Sequence, residues 1–143
     1  MLNVKIMKLE ITESPREEDD AFVISKTRQY NLQFVENKFK PISLYFRNAE
    51  GEIIAGLTGK TFWSWLHVEY LWVDENERCK SFGSKLMLAA EEEAISRGCI
   101  GSTLDTFSVQ ALDFYKKLGY TAFGSLSGYA GKLQRHYLQK KFV

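Results

Sequence analysis

The middle of this chain contains an apolar run, then a turn of small and basic residues, then an amphipathic stretch. Residues 66–73, LHVEYLWV, are rich in aromatic and β-branched side chains, which predicts a strand near the centre of a sheet. From Phe82 to Ala94 an apolar residue recurs every four positions, which predicts an amphipathic helix that ends at Gly98. A strand that leads through a short turn into such a helix favours folds in which helices pack on a sheet.

The rest of the chain predicts strands and helices that extend this unit. The order strand, helix, strand, helix after residue 66 implies a parallel crossover. We therefore predict one α/β domain over residues 1–143, an α+β three-layer fold with a mixed central sheet of about six to seven strands flanked by helices. The further predicted elements are a strand at 3–11, one or two helices within 14–39, a hairpin of strands 42–48 and 53–63, a strand at 99–107, a helix around 111–118, and closing strands at 120–126 and 133–143 joined by the loop 127–131.

Composition excludes several classes of function. A length of 143 residues with 45% hydrophobic content is enough for one core, and a net charge of +1 provides no field that would concentrate nucleic acid or an anionic membrane. No apolar run approaches the roughly 20 residues that span a bilayer. Cys79 and Cys99 are too few for a disulfide framework, the first residues lack the pattern of a signal peptide, and His136 lacks the partners of a metal site, so we expect a cytoplasmic protein without a metal.

The turn before the helix has the properties of an anion site. Backbone N–H groups converge at a helix N-terminus, and the helix dipole adds partial positive charge there. The turn lacks both the P-loop pattern and the dinucleotide-binding glycine pattern, so neither nucleotide fold is predicted. Its small side chains are Cys79, Ser81, Gly83 and Ser84, and its basic side chains are Arg78, Lys80 and Lys85.

Two motifs resemble those of the GNAT superfamily of N-acetyltransferases. Residues 78–83, RCKSFG, resemble its pyrophosphate loop, Gln/Arg-x-x-Gly-x-Gly/Ala, with Ser81 in place of the first glycine. Residues 111–120, ALDFYKKLGY, resemble its second motif, Ala-x-x-Phe/Leu-Tyr-x-x-x-Gly-Phe/Tyr, and Ser108 stands where that motif often carries asparagine. The similarity covers about half of the chain, from His67 to Tyr120, and implies a GNAT-like acyl-CoA N-acyltransferase fold.

This resemblance implies acetyl-CoA as cofactor, with CoA as product, and transfer of an acetyl group to a primary amine of a small molecule or peptide. The amine would attack directly in a ternary complex. The alternatives are an acyl-CoA-binding regulatory module without turnover and a partner-binding domain that holds another phosphate. The residues that the resemblance implies for cofactor binding are Leu71, Trp72 and Val73 along pantetheine, Arg78, Cys79, Lys80, Ser81, Phe82, Gly83 and Ser84 around the pyrophosphate, and Ser108 and Tyr115 beyond them.

Candidate catalytic residues lie on the predicted strand 66–73 and on the second helix. Tyr115 matches the tyrosine that can act as general acid to the departing thiolate, although its place in an apolar stripe is also consistent with core packing. Strand alternation would place His67, Glu69, Leu71 and Val73 on one face. Glu69 or His67 could then accept the amine proton, with Glu69 favoured, and the alternative is that both are hydrogen-bonded structural residues.

Aromatic residues elsewhere are candidates for the acceptor wall. Trp63 and Trp65 flank a predicted turn, where they could line an acceptor pocket, pack in the core or form a dimer contact. Phe22, Tyr30 and Asn31 lie on the N-terminal helices, where this superfamily commonly builds its variable wall. A homodimer is consistent with this pattern, and the sequence does not identify the acceptor.

Overall fold

The computed structural model describes residues 7–35 and 39–143 and divides the chain into two compact units, Met1–Glu36 and Asn37–Val143. The first unit contains one helix, α1 (Glu17–Asn31), whose first turn is acidic and therefore complements the helix dipole. The predicted first strand is wrong for residues 7–11, which lie in no helix or strand, and its residues 3–6 lie outside the described residues. No helix in the described part of the chain is long and apolar enough to cross a membrane.

The second unit is a mixed sheet with two helices in its connections. The strand order is β1-β2-β3-β4-β6-β5, so the strand predicted to be central is the third of six. Only β3 and β4 pair in parallel, across the crossover that the sequence predicted, and all other neighbours are antiparallel. The elements are β1 (Lys40–Arg47), β2 (Ile53–Phe62), β3 (Trp65–Val73), α2 (Phe82–Ser96), β4 (Gly101–Thr106), α3 (Val109–Lys117), β5 (Thr121–Tyr129) and β6 (Leu133–Lys141).

The core lies between the apolar face of α2 and the sheet. Leu86, Met87, Ala90 and Ala94 of α2 are buried, as their spacing predicted. The final hairpin differs slightly from the prediction, because β5 continues to Tyr129 and the connecting turn is shorter than 127–131.

A bulge in β3 changes which side chains share a face of the sheet. Tyr70 pairs with Thr58 and Val68 pairs with Gly59, so Glu69 is an extra residue without a partner on β2. One extra residue reverses the alternation of side chains along the strand. Leu71 and Val73 therefore pair with the buried Leu57 and Ala55, on the face of Leu66 and Val68. The prediction that His67 shares a face with Leu71 and Val73 is thus wrong.

Glycine permits this bulge. A Cβ atom on Gly59 would lie 2.2 Å from the backbone oxygen of His67 and 3.3 Å from Cα of Val68. Since no real side chain tolerates such a contact with backbone, only glycine lets β2 approach the bulged part of β3 this closely.

The two parallel strands separate just before the bulge. They pair only at Trp65 with Gly101, Leu66 with Ser102 and His67 with Thr103. Beyond His67 the edge of β3 that faces β4 has no strand partner, while β4 stays paired with β6 as far as Thr106. A cleft between β3 and β4 follows from this separation.

Candidate active site

The turn between β3 and α2 leaves three backbone amides free. None of the hydrogen bonds among the described residues uses the N–H groups of Phe82, Gly83 or Ser84, and the side chain of Ser81 does not cap the helix. Ser81 has φ 64° and Cys79 has φ 65°, both in the left-handed region. The serine at the motif glycine thus adopts the conformation that glycine would adopt more easily.

A cleft of about 780 Å³ lies in front of these amides, and we call it the loop cleft. Arg78 lines it and forms no ion pair with any described residue, whereas Lys80 does not line it and bonds Glu77 Oε2 at 2.8 Å. Ser108 also lines it, and its hydroxyl caps α3 by accepting from the Ala111 amide at 3.2 Å. The predicted cofactor residues that line the loop cleft are Leu71, Trp72, Val73, Arg78, Cys79, Ser81, Phe82, Gly83, Ser84, Ser108 and Tyr115.

Gly83 has a packing role in addition to its place in the loop cleft. A Cβ atom there would lie 3.2 Å from the ring of Phe114 and 3.9 Å from Val73. The absent side chain therefore lets α2 pack against α3, so substitution of Gly83 changes this packing as well as the cleft.

A second cleft of about 840 Å³ lies where β3 and β4 separate, and we call it the polar cleft. Such a volume is ordinary for a small-molecule site. Four charged side chains and one histidine line it, together with threonine, tyrosine and apolar residues. The five are Lys60, His67, Glu69, Asp105 and Arg135.

Tyr115 lies at the junction of the two clefts. Among the described residues, Leu71, Ala111 and Tyr115 alone line both. The rings of Phe114 and Tyr120 hold its side chain at centroid distances of 5.1 and 5.8 Å, and its hydroxyl takes part in no hydrogen bond among the described residues. Burial raises the pKa of Tyr115, and the nearby negative charge of Asp105 raises it further, so the phenol keeps its proton at neutral pH.

His67 and Glu69 both line the polar cleft, on opposite sides of Val68. Glu69 is an exposed residue and bonds Lys60 Nζ at 3.3 Å, and His67 stacks on the ring of Phe62 at 4.4 Å. Burial lowers the pKa of His67, Lys60 lowers it further, and Glu69 opposes both. The imidazole is therefore neutral at physiological pH and can accept a proton.

Five further residues were predicted as candidates for the acceptor wall. Trp63 lies in the turn between β2 and β3 and Trp65 begins β3, and neither lines the loop cleft or the polar cleft. Phe22, Tyr30 and Asn31 lie on α1 in the first unit, with Phe22 62% and Tyr30 60% exposed.

Sequence reasoning missed Asp105 and Arg135, which form an ion pair of 2.8 Å at the wall of the polar cleft. Asp105 had a usable signal, because it lies near the carboxyl end of a strand predicted to be parallel to β3. Arg135 had none, since its position depends on how β6 returns beside β4.

The geometry thus consists of two central strands that separate and two clefts that share Tyr115. A model of the Acetyltransferase (GNAT) family matches residues 4–120. Acetyltransferase Atu2258 of Agrobacterium fabrum is 37% identical over 114 residues, which cover 79% of this chain and 83% of that protein. Blasticidin-S acetyltransferase of Streptomyces morookaense is 39% identical over 106 residues, covering 71% and 78%. A crystal structure of an Agrobacterium tumefaciens protein superposes with a TM-score of 0.91 at 32% identity, covering 95% and 100%.

This chain therefore belongs to the GNAT family and is an acetyl-CoA-dependent acetyltransferase. The resemblance noted in the sequence is confirmed, and so is the fold that it implied.

Proposed function

We propose that this protein transfers an acetyl group from acetyl-CoA to a primary amine of a small molecule by direct attack in a ternary complex. One observation carries the proposal: the loop cleft and the polar cleft meet at Tyr115, so a cofactor in one and an amine in the other would react there. Blasticidin-S acetyltransferase, named for a small-molecule acceptor, supports a small molecule over a peptide.

The residues of the loop cleft fit the cofactor. The free amides at the start of α2 and the unpaired Arg78 suit the negative charge of a pyrophosphate. The β3 edge beyond His67 offers main-chain groups without a strand partner, which suit the amides of pantetheine. Acetyl-CoA would supply the activated thioester when bound.

We assign the proton transfers to Tyr115 at the junction of the clefts and to side chains of the polar cleft. Tyr115 holds its proton at Oη and can donate it to the departing thiolate sulfur. His67 and Glu69 are the candidates to accept the amine proton, directly or through water. The neutral imidazole favours His67, because Glu69 is already paired with Lys60.

The family match extends over both structural units, from residue 4 to residue 120, which supports our proposal that residues 1–143 act as one acetyltransferase domain. Because the match includes α1, we keep Phe22, Tyr30 and Asn31 as candidates for the acceptor wall.

The decisive experiment measures CoA release from acetyl-CoA with a panel of amines that includes blasticidin S. We expect turnover with a small-molecule amine, and a drop of at least about a hundredfold in kcat for Tyr115→Phe, because general acid catalysis is typically worth this much or more. Acetyl-CoA affinity, measured by calorimetry, should be nearly unchanged.

The matched control is Tyr45→Phe, since Tyr45 lies on β1 and lines neither cleft. Its kcat should equal that of the unmodified protein. Binding of acetyl-CoA with no CoA release above background for any amine would contradict the proposal and favour a regulatory acyl-CoA-binding module.

A further inference from the structure

The ion pair of Asp105 and Arg135 forms part of the wall of the polar cleft, and its arginine also contacts three aromatic side chains. Arg135 Nε donates to Asp105 Oδ2 at 2.8 Å, and Nη1 donates to the Tyr129 hydroxyl at 3.5 Å. The guanidinium lies over the rings of Phe107 and Tyr137, at 5.6 and 5.1 Å from their centroids. These contacts orient the guanidinium through Nε, Nη1 and the two rings, while no acceptor among the described residues bonds Nη2.

Asp105 uses only one of its two carboxylate oxygens in this pair. No donor among the described residues bonds Oδ1, and 34% of the side chain is exposed. Asp105 is also close enough to Tyr115 for its charge to act on the phenol. An acceptor that reaches the junction of the clefts therefore passes next to a carboxylate with free hydrogen-bonding capacity.

We propose that Asp105 is a specificity-determining residue that binds a second cationic group of the acceptor, beside the amine that is acetylated. This inference rests on the proposed function and specifies its substrate class as small molecules with two cationic nitrogens. Arg135 holds the carboxylate in place through its Nε contact of 2.8 Å. An acceptor carboxylate on Arg135 is the less favoured arrangement, since Nε already donates to Asp105, Nη1 already donates to Tyr129 and two aromatic rings lie against the guanidinium.

The test compares cadaverine with aminopentanol, in which a hydroxyl replaces one amine. Binding to the CoA-loaded protein is measured by calorimetry, and KM and kcat are measured with acetyl-CoA. We expect the unmodified protein to prefer cadaverine. Asp105→Asn should reduce that preference by roughly three- to tenfold, because it keeps an oxygen for Arg135 and removes only the charge of a partly exposed group.

The change should appear in KM and in the dissociation constant, and high salt should weaken the preference of the unmodified protein. Asp113→Asn is the matched control, because Asp113 is an exposed residue of α3 that lines neither cleft. Asp105→Ser, which also lacks the charge, serves as the second variant if Asp105→Asn unfolds at a lower temperature.

An unchanged preference in the Asp105 variants would overturn the inference. Tighter binding of an acceptor with a carboxylate, lost in Arg135→Gln, would overturn it in favour of the arginine. Absence of CoA release with every amine would contradict the proposed function alone, since the calorimetric preference would still decide the role of Asp105.

Discussion

Ser81 has a left-handed backbone conformation that glycine adopts more easily. Its left-handed φ of 64° costs an L-residue about 1–2 kcal/mol, while glycine loses more chain entropy on folding. We expect Ser81→Gly to raise the free energy of unfolding by up to about 1 kcal/mol in urea titrations.

Ala89→Gly, at an exposed position inside α2, is the control and should lower that free energy by about 1 kcal/mol. Equal losses in the two variants would show that Ser81 is not strained. Ser81→Gly tests the turn more cleanly than a Gly83 variant, which would also disturb the contact with Phe114.

The identity of the base can be decided from the pH dependence of kcat/KM. The pKa of His67 is lowered from its usual 6.5, so the imidazole stays neutral from neutral pH to below that value, and activity should fall only as the pH drops further. His67→Gln should remove this acid limb and lower kcat/KM by about a hundredfold or more. Lys60→Met should move the limb to higher pH, because it removes a charge that lowers the pKa of His67.

His136→Gln is the control, since His136 lines neither the loop cleft nor the polar cleft and should leave the profile unchanged. If Glu69→Gln abolishes activity while His67→Gln keeps the limb, then Glu69 is the base. The pH-stability profile must be recorded in parallel. A depressed histidine pKa contributes stability above about 6.5 that is lost as the pH falls below it.

At the scale of one element, the bulge in β3 depends on Gly59. A methyl group at Gly59 would meet the backbone of His67, so Gly59→Ala should lower the free energy of unfolding by about 1–3 kcal/mol and raise the KM of the acceptor. Gly124→Ala in β5 is the control, because nothing lies within 4 Å of the added carbon. Equal stability of the two variants would contradict this account.

Most elements could be predicted from the sequence, because their signals are local. Each signal is contained in a short stretch of the chain. Examples are the periodicity of α2, the Ser108 cap of α3 and the apolar run of β3. The bulge at Glu69 could not be predicted, since it arises where Gly59, ten positions earlier in the chain, comes against β3. The same extra residue made the alternation predicted for His67 and Leu71 fail.

At the scale of the whole molecule, a buried polar network joins α2, β4, β6 and the start of β5. The Tyr120 hydroxyl lies 2.8 Å from Ser102 Oγ and 3.3 Å from Glu91 Oε2, and Lys140 Nζ lies 2.6 Å from Glu91 Oε1. Tyr120, Ser102 and Glu91 are all buried. The network therefore satisfies polar groups that would otherwise destabilise the core beside Tyr115.

We expect Tyr120→Phe to lower the free energy of unfolding by about 1–2 kcal/mol near neutral pH. Burial raises the pKa of Tyr120 well above its usual value, so the unfolded chain loses this proton first when the pH passes about 10. The stability that the phenol contributes is complete below that pH and is lost above it. The difference between the two proteins should therefore shrink in denaturant titrations at alkaline pH.

Tyr45→Phe, half exposed on β1, controls for the loss of a hydroxyl and should change stability little. A difference that stays constant from neutral to alkaline pH would contradict the role of the Tyr120 phenol. The cytoplasmic location and the homodimer stay predictions at this scale, testable by fractionation and by light scattering.

The sequence by itself determined the family, most of the strands and helices, and the loop cleft, because the GNAT motifs are contiguous and each positions its own backbone. The position of Tyr115 beside the loop cleft also follows from a contiguous motif, residues 111–120. The tertiary structure alone decided the polar cleft, whose charged residues come from β2, β3, β4 and β6 and meet only because β3 separates from β4 beyond His67. The wall of the polar cleft is formed by parts of the chain that are distant in sequence, and the residue pattern along one strand does not indicate which strand will lie beside it.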